Sequence, residues 1–201
     1  MDPALLVASV PTERIPTVKT CRVRTISRKG WIATSRVTLT EKEVSRYVDG
    51  EGSFSVSVQR NATCRVGFQL VPEFHVSQNG DRSQVLSVIR ERFGGCGYIK
   101  PNGRKDRALV YVVRRREHLL EHVIPFFERT PLMSSKQEDF GKFAAIVRSM
   151  ALGHHRTASG FSRLLDEALS MNGNGRFRSV RWKELLAAVQ NPQRLYAERE
   201  E

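Results

Sequence analysis

The sequence predicts an α+β fold in which a four-stranded antiparallel sheet carries helices on one face. Three observations predict it. Two pairs of segments alternate polar and apolar residues with period two, segments of helical spacing separate and follow them, and the first helix announces itself with a capping box. The expected order is helix, two strands, helix, two strands and then helices, a saddle-shaped sheet with extra helices toward the C-terminus.

The elements follow from residues in order. Residues 1–38 are rich in Thr, Ser, Val, Arg and Pro, and Pro11 and Pro16 interrupt any regular element; this stretch is expected as a leader or arm, with Val23 to Ile32 either a strand or a docked arm. Thr40 and Glu43 have the capping-box spacing, so a short helix is expected to Val48, stopped by Asp49-Gly50-Glu51-Gly52. Ser53 to Arg60 alternates as a half-buried strand, Asn61-Ala62-Thr63 turns the chain, and Arg65 to Val76 returns, with Pro72 suggesting a bulge. Val85, Leu86, Ile89 and Phe93 recur at helical spacing up to the Gly94-Gly95 cap. Gly97 to Lys100 and Ala108 to Arg114 form a second hairpin around the basic turn Pro101 to Asp106, and helices are expected over 117–128, 134–152, 157–171 and 180–189. The domain so defined runs over 39–175, with a basic extension containing a helix over 176–201.

Composition narrows the partner. The 201 residues include 33 Lys or Arg against 21 acids, a net charge of +12, and 40% are hydrophobic, enough for one good core. Ten of the basic residues and only three acids fall within 76–116, among strand signals. A basic excess concentrated on a sheet attracts polyanions, and nucleic acid is the first partner to consider. Cys21, Cys64 and Cys96 are odd in number and widely spaced, which argues against a disulfide framework or structural zinc. The absence of any apolar run near roughly 18 residues and of a secretory leader points away from membrane and secretion, to an intracellular compartment such as cytoplasm, nucleoid or an organelle.

The segment Val44-Ser45-Arg46-Tyr47-Val48-Asp49-Gly50-Glu51-Gly52-Ser53-Phe54 resembles the LAGLIDADG motif in its form ending D-G-E-G-S-F. The resemblance extends through Phe74 to Gln78, Gly95-Cys96-Gly97-Tyr98-Ile99, the P-L-x-x-x-K-x-x-D-F stretch Pro131 to Phe140, and Met171 to Arg178. It implies the α-β-β-α-β-β-α core of the LAGLIDADG homing endonucleases, cutting double-stranded DNA with Mg²⁺, for which Mn²⁺ can substitute. On this likeness Glu51 is the catalytic carboxylate and metal ligand, assisted by the Gly50 backbone. Gln78 orders active-site water, and Lys136 neutralises phosphate charge or polarises water. Asp49 and Gly52 shape the turn, Asp49 by bonding local amides.

Only one copy of the motif is present, and one carboxylate per chain cannot cut both strands; a homodimer on a roughly palindromic site is implied. Its interface is expected at Val44, Ser45 and Val48. Arg46 stands where the motif helix usually carries glycine, so it must turn outward, pair with an acid such as Glu43, or enlarge the interface.

Strand parity supplies the residues expected to face DNA. They are Ser55, Ser57 and Gln59; Arg65, Gln69, Glu73 and His75; and Tyr98, Lys100, Asn102, Arg107 and Tyr111. Arg104 and Lys105 at the second turn, and Arg176 and Arg178 in the tail, are expected to hold phosphates. His154-His155 is expected at the surface or as a cap, and Trp31 and Trp182 as packing anchors. Two other functions fit much of the same pattern: a catalytically silent DNA-binding protein on this fold, and an RNA-splicing maturase. A ribosomal-type RNA binder explains the charge but not the motif.

Overall fold

A computed structural model describes Thr25–Ile26, Ile32–Ala33 and residues 38–64, 66–103 and 107–174. Arg65, Arg104, Lys105, Arg176, Arg178, Trp31 and Trp182, the leader before Thr25 and the helix expected over 180–189 lie outside the described residues.

Two short strands, β1 (Thr25–Ile26) and β2 (Ile32–Ala33), pair antiparallel. The motif helix α1 (Glu41–Glu51) starts at the expected capping box: Thr40 Oγ1 accepts from the Glu43 amide and the Glu43 carboxylate accepts from the Thr40 amide at 2.7 Å. It runs one turn beyond Val48 and is capped at Gly52, whose amide donates to the Val48 carbonyl. A Cβ at Gly52 would lie 2.8 Å from that carbonyl oxygen, so the helix enters the strand this tightly only because residue 52 has no side chain.

Strand β3 (Gly52–Arg60) pairs with β4 (Phe68–Asn79), β4 with β6 (Ala108–Val113), and β6 with β5 (Tyr98–Pro101), all antiparallel, in the order β3-β4-β6-β5. Pro72 makes no bulge: it stands in unbroken register opposite Val56. β6 pairs with β4 only from Phe74 onward, so among the described residues no strand bonds the other flank of β4 at Pro72, and a missing amide costs no ladder bond there.

Helix α2 (Gln84–Arg92) crosses between the hairpins, and α3 (Arg116–His118) passes through a π-turn (Leu119–Val123) into α4 (Ile124–Arg129). Pro125 has no amide to donate and its ring would crowd the preceding turn of a regular helix; the widened turn just before it removes that clash. Helices α5 (Lys136–Ala151) and α6 (Ala158–Leu169) complete the layer, and a kinked turn, Met171–Asn174, ends the described chain.

The core lies between the sheet and these helices. Phe54 of β3 sits at its centre, wholly buried, with its ring centroid 5.2–5.4 Å from those of Phe74, Phe127, Phe140 and Phe143. Helix α1 joins this core through Val44 and Val48, both fully buried. Asn172, at φ 52°, donates from its side-chain amide to the Phe54 carbonyl and from its backbone to Asp139, tying the end of the described chain to β3 and α5.

Tyr111 corrects the expected parity of β6. It is fully buried on the helix side, opposite Val76 and Ile99, and its hydroxyl donates to the Cys96 carbonyl at 2.9 Å. The outward residues of β6 are Ala108, Val110 and Val112. Replacing Phe54 by Ala is expected to lower stability by about 3–5 kcal/mol, and Tyr111→Phe by about 0.5–1.5 kcal/mol; urea unfolding of both variants checks the difference.

Candidate active site

The end of α1 is assembled from two distant parts of the chain. Lys136, the first residue of α5, places its ammonium among three carbonyls at the end of α1, donating to Asp49 O at 2.7 Å, Gly52 O at 2.6 Å and Val48 O at 3.1 Å. A helix C-terminus leaves such carbonyls without amide partners and carries negative partial charge, so a half-buried ammonium answers both deficits. Burial pulls the Lys136 pKa below its usual value, against the raising effect of Asp49, Glu51 and Asp139. The lysine therefore reaches the motif, as the resemblance implies, but its three donors meet backbone oxygens.

Asp49 does not close a local turn. Its carboxylate accepts from the Ser134 hydroxyl at 2.6 Å and the Ser134 amide at 3.3 Å, 85 residues away, and so fastens the loop before α5 to the same helix end. Beside it, Gln78 at the end of β4 donates from its amide nitrogen to the Tyr47 hydroxyl and accepts from the Asn79 amide at 2.7 Å. Burial raises the Tyr47 pKa, and the nearby Glu51 charge adds to that rise. Glu51, Gln78 and Lys136 thus gather at one end of α1, together with Tyr47, which sequence reasoning did not single out.

Glu51 itself is exposed, the last residue of α1, and its carboxylate makes no hydrogen bond or ion pair with the described residues. A carboxylate left free beside ordered polar groups suits a hard cation or a polar ligand. The Gly50 carbonyl belongs to the last turn of the same helix, in reach of the same ligand chemistry. Among the described residues no three His, Cys, Asp or Glu side chains converge as a metal-ligand cluster.

The expected dimer-interface residues Val44, Ser45 and Val48 face the other way. Both valines are in the core, and Ser45, 3% exposed, donates its hydroxyl to the carbonyls of Thr130 and Pro131 at 3.1 and 3.0 Å. A helix that packs on its own core with these residues presents the opposite stripe outward: Glu43, Arg46 and Gly50 are exposed and Tyr47 is half-buried. A Cβ at Gly50 would meet nothing within 4 Å.

The outer face of the sheet is largely polar. Register places Ser53, Ser55, Ser57 and Gln59 beside His75, Glu73, Val71 and Gln69, and Tyr98 and Lys100 beside Val112 and Val110. Asn61 donates to Gln69 at 2.8 Å and Gln69 to Gln59 at 3.3 Å, a chain of amides at one end of the face. Asn102 and Arg107 are exposed at the other hairpin. Glu73 holds Arg114, a residue absent from the expected set, and lies 3.4 Å from His75 Nδ1. The signal for Arg114 was available in parity, since it continues the outward series of β6 by one step. His154 and His155 lie in a 3₁₀ turn between α5 and α6, away from this face; burial and two arginines keep the His155 pKa low.

Two predictions follow from these contacts. Lys136→Met strands three carbonyls and is expected to lower stability by about 1–3 kcal/mol in the absence of any ligand, read from chemical unfolding. The Glu73 carboxyl is held below the ordinary 4.5, first by the His75 imidazole and then by the Arg114 guanidinium, with burial opposing them. Its folded-state pKa is depressed, so its contribution to stability is complete above the unfolded value and fades as pH falls through the folded one; Glu73→Gln is expected to flatten the acid limb of the stability curve below pH 4.5.

The family model for LAGLIDADG endonucleases matches residues 45–147. The homing endonuclease I-ApeII of Aeropyrum pernix is 35% identical over 120 residues, which cover 59% of this chain and 68% of that protein. Among solved structures, the homing endonuclease I-TnaI superposes with a TM-score of 0.69 at 37% identity over 76% of this chain and 99% of that one. I-SmaMI bound to cleaved DNA superposes with a TM-score of 0.69 at 27% identity, over 76% of this chain and 49% of that one. The chain spans only 24% to 28% of the length of several fungal relatives described as probable intron-encoded endonucleases. With the helix end, the four-stranded sheet and the Lys136 contact all in place, the chain belongs to the LAGLIDADG endonuclease family.

Proposed function

We propose that this protein is a site-specific endonuclease of double-stranded DNA that works as a homodimer and uses Mg²⁺ or Mn²⁺. The observation that carries the reading is Glu51: a carboxylate with no partner among the described residues, fixed at a helix end that Lys136 and Ser134 hold in place. That it lies on a protein with an outward polar sheet face and a charge of +12 makes a polyanion the ligand that fits. The relative I-SmaMI, whose structure holds cleaved DNA, supports the same reading.

Each residue has a part in this reading. Glu51 and the Gly50 carbonyl supply hard oxygen ligands, and a divalent cation bound there would lower the pKa of water and offset charge on the phosphate. Gln78, oriented by Tyr47 and by the Asn79 amide, presents its remaining amide N–H to water near the carboxylate. Lys136 keeps the carbonyls at the end of α1 occupied, so the backbone that carries Glu51 does not fray.

One motif supplies one carboxylate, and two DNA strands need two. A twofold pairing of α1 along Glu43, Arg46, Tyr47 and Gly50 brings the two Glu51 residues together, and the open space at Gly50 is where a second backbone can approach. This chain matches nearly all of I-TnaI but 49% of I-SmaMI, the proportion expected if it supplies half of the larger protein's surface. Arg46 lies on this stripe within electrostatic reach of Glu43 of its own chain.

Glu51→Gln is expected to abolish cleavage of long duplex DNA in Mg²⁺ while retaining DNA binding within a few-fold, as read by gel mobility and product analysis. Wild-type protein that binds duplex DNA but never cuts it in Mg²⁺ or Mn²⁺ speaks for a silent DNA-binding protein, and binding to intron RNA alone speaks for a maturase. Gly50→Leu is expected to leave the monomer folded and convert the dimer to monomer in sedimentation; a dimer that survives this substitution excludes the α1 stripe as its interface.

A further inference from the structure

The ion-paired unit on the outer sheet face combines an acid with two nitrogen bases on a surface that must meet a polyanion. Glu73, opposite Ser55 in β3, accepts from Arg114 Nε on the next strand, and its other oxygen lies 3.4 Å from His75 Nδ1. The Glu73 side chain is 20% exposed and that of Arg114 46%. His75 Nδ1 is buried and makes no hydrogen bond. Register carries the same row across the face: Ser55, Glu73 and Arg114 lie side by side, next to Ser53, His75, Val112 and Tyr98.

Charge and geometry pull apart here. An arginine whose task is to grip phosphate gains from a bare positive charge, and a carboxylate bonded to it cancels that gain and itself repels phosphate. The carboxylate offsets the charge of the arginine it holds. What Glu73 gives in return is orientation: it fixes the guanidinium plane through Nε and leaves the two terminal nitrogens as a parallel pair of donors. A parallel pair of donors matches two adjacent acceptors on a neutral base edge, and in the major groove guanine presents such a pair, O6 and N7.

Resting on the reading of this face as the DNA-binding one, we propose that Arg114 reads a guanine in each half of the target site and that Glu73 is the positioning residue that sets its guanidinium plane. Val112 and Val110 beside it are buried valines that present no polar group of their own, and the polar side chains of His75, Tyr98, Ser77 and Lys100 flank them on the neighbouring strands.

The test is selection from randomised DNA duplexes with protein carrying Glu51→Gln, so that bound DNA is not cut, followed by the same selection with Arg114→Ala, Arg114→Lys or Glu73→Gln added. Thermal unfolding of each variant establishes that it is folded. The expected result is one G·C pair per half-site whose preference over other pairs falls by about 5- to 150-fold in all three variants, other positions keeping theirs. Arg114→Lys is diagnostic, because lysine keeps the charge and loses the planar pair. A uniform fall in affinity for all sequences with a shallower salt dependence in Arg114→Ala, rescued by Arg114→Lys, makes Arg114 a phosphate contact and overturns the proposal. An unchanged preference at every position in Arg114→Ala or Glu73→Gln also overturns it, while leaving the endonuclease reading intact. Absence of any duplex binding by the parent Glu51→Gln protein removes the DNA-facing reading and this proposal with it.

Discussion

The contact between the Lys136 ammonium and the three carbonyls at the end of α1 is the constraint on which the rest of this site depends. A helix ending in Gly50-Glu51-Gly52 has little intrinsic tendency to stay ordered, because glycine gains the most from unfolding and the final carbonyls have no amides. The ammonium and the Asp49–Ser134 bonds supply from another segment what the helix lacks. They cost the lysine its hydration, visible in its lowered pKa. The carboxylate one residue away inherits a fixed origin without being engaged itself.

Sheet and helices divide their labour around that point. The helix-facing side is a continuous aromatic core centred on Phe54, and it buries the valine side of α1. The opposite side of α1 and the outer side of the sheet are consequently the surfaces left for other molecules. Both are polar, and each carries an acid set against a base: Glu43 with Arg46 on the helix, Glu73 with Arg114 on the sheet. A surface ion pair such as Glu73–Arg114 adds little to stability.

The order of elements was legible in the sequence because each element had a local cause. The Thr40–Glu43 box, the alternation in Ser53 to Arg60 and the glycines after Phe93 act within a few residues. Two readings failed where the pattern was degenerate. Val110, Tyr111, Val112 and Val113 are apolar on both faces of β6, so period two could not say which parity pointed inward; the register with β4 decides it. Val44, Ser45 and Val48 share a helical stripe, but a stripe does not say whether its partner is the same chain or another. Here the same chain takes it, and Arg46 is displaced to the open side, where its bulk no longer contradicts the fold. The partners of Lys136, Asp49 and Gln78 were not legible because they lie 31 or more residues away or depend on side-chain geometry; the sequence pointed to the neighbourhood but not to the bond.

The Asp49–Ser134 bond has a consequence in time as well as in space. A ribosome delivers α1 and the whole sheet before it delivers Ser134 and Lys136, so the nascent chain holds its acidic residue on an unfastened helix until α5 emerges. The helix end that carries Glu51 is therefore fastened only late in synthesis, and a product truncated ahead of residue 134 lacks the Ser134 and Lys136 contacts that hold it.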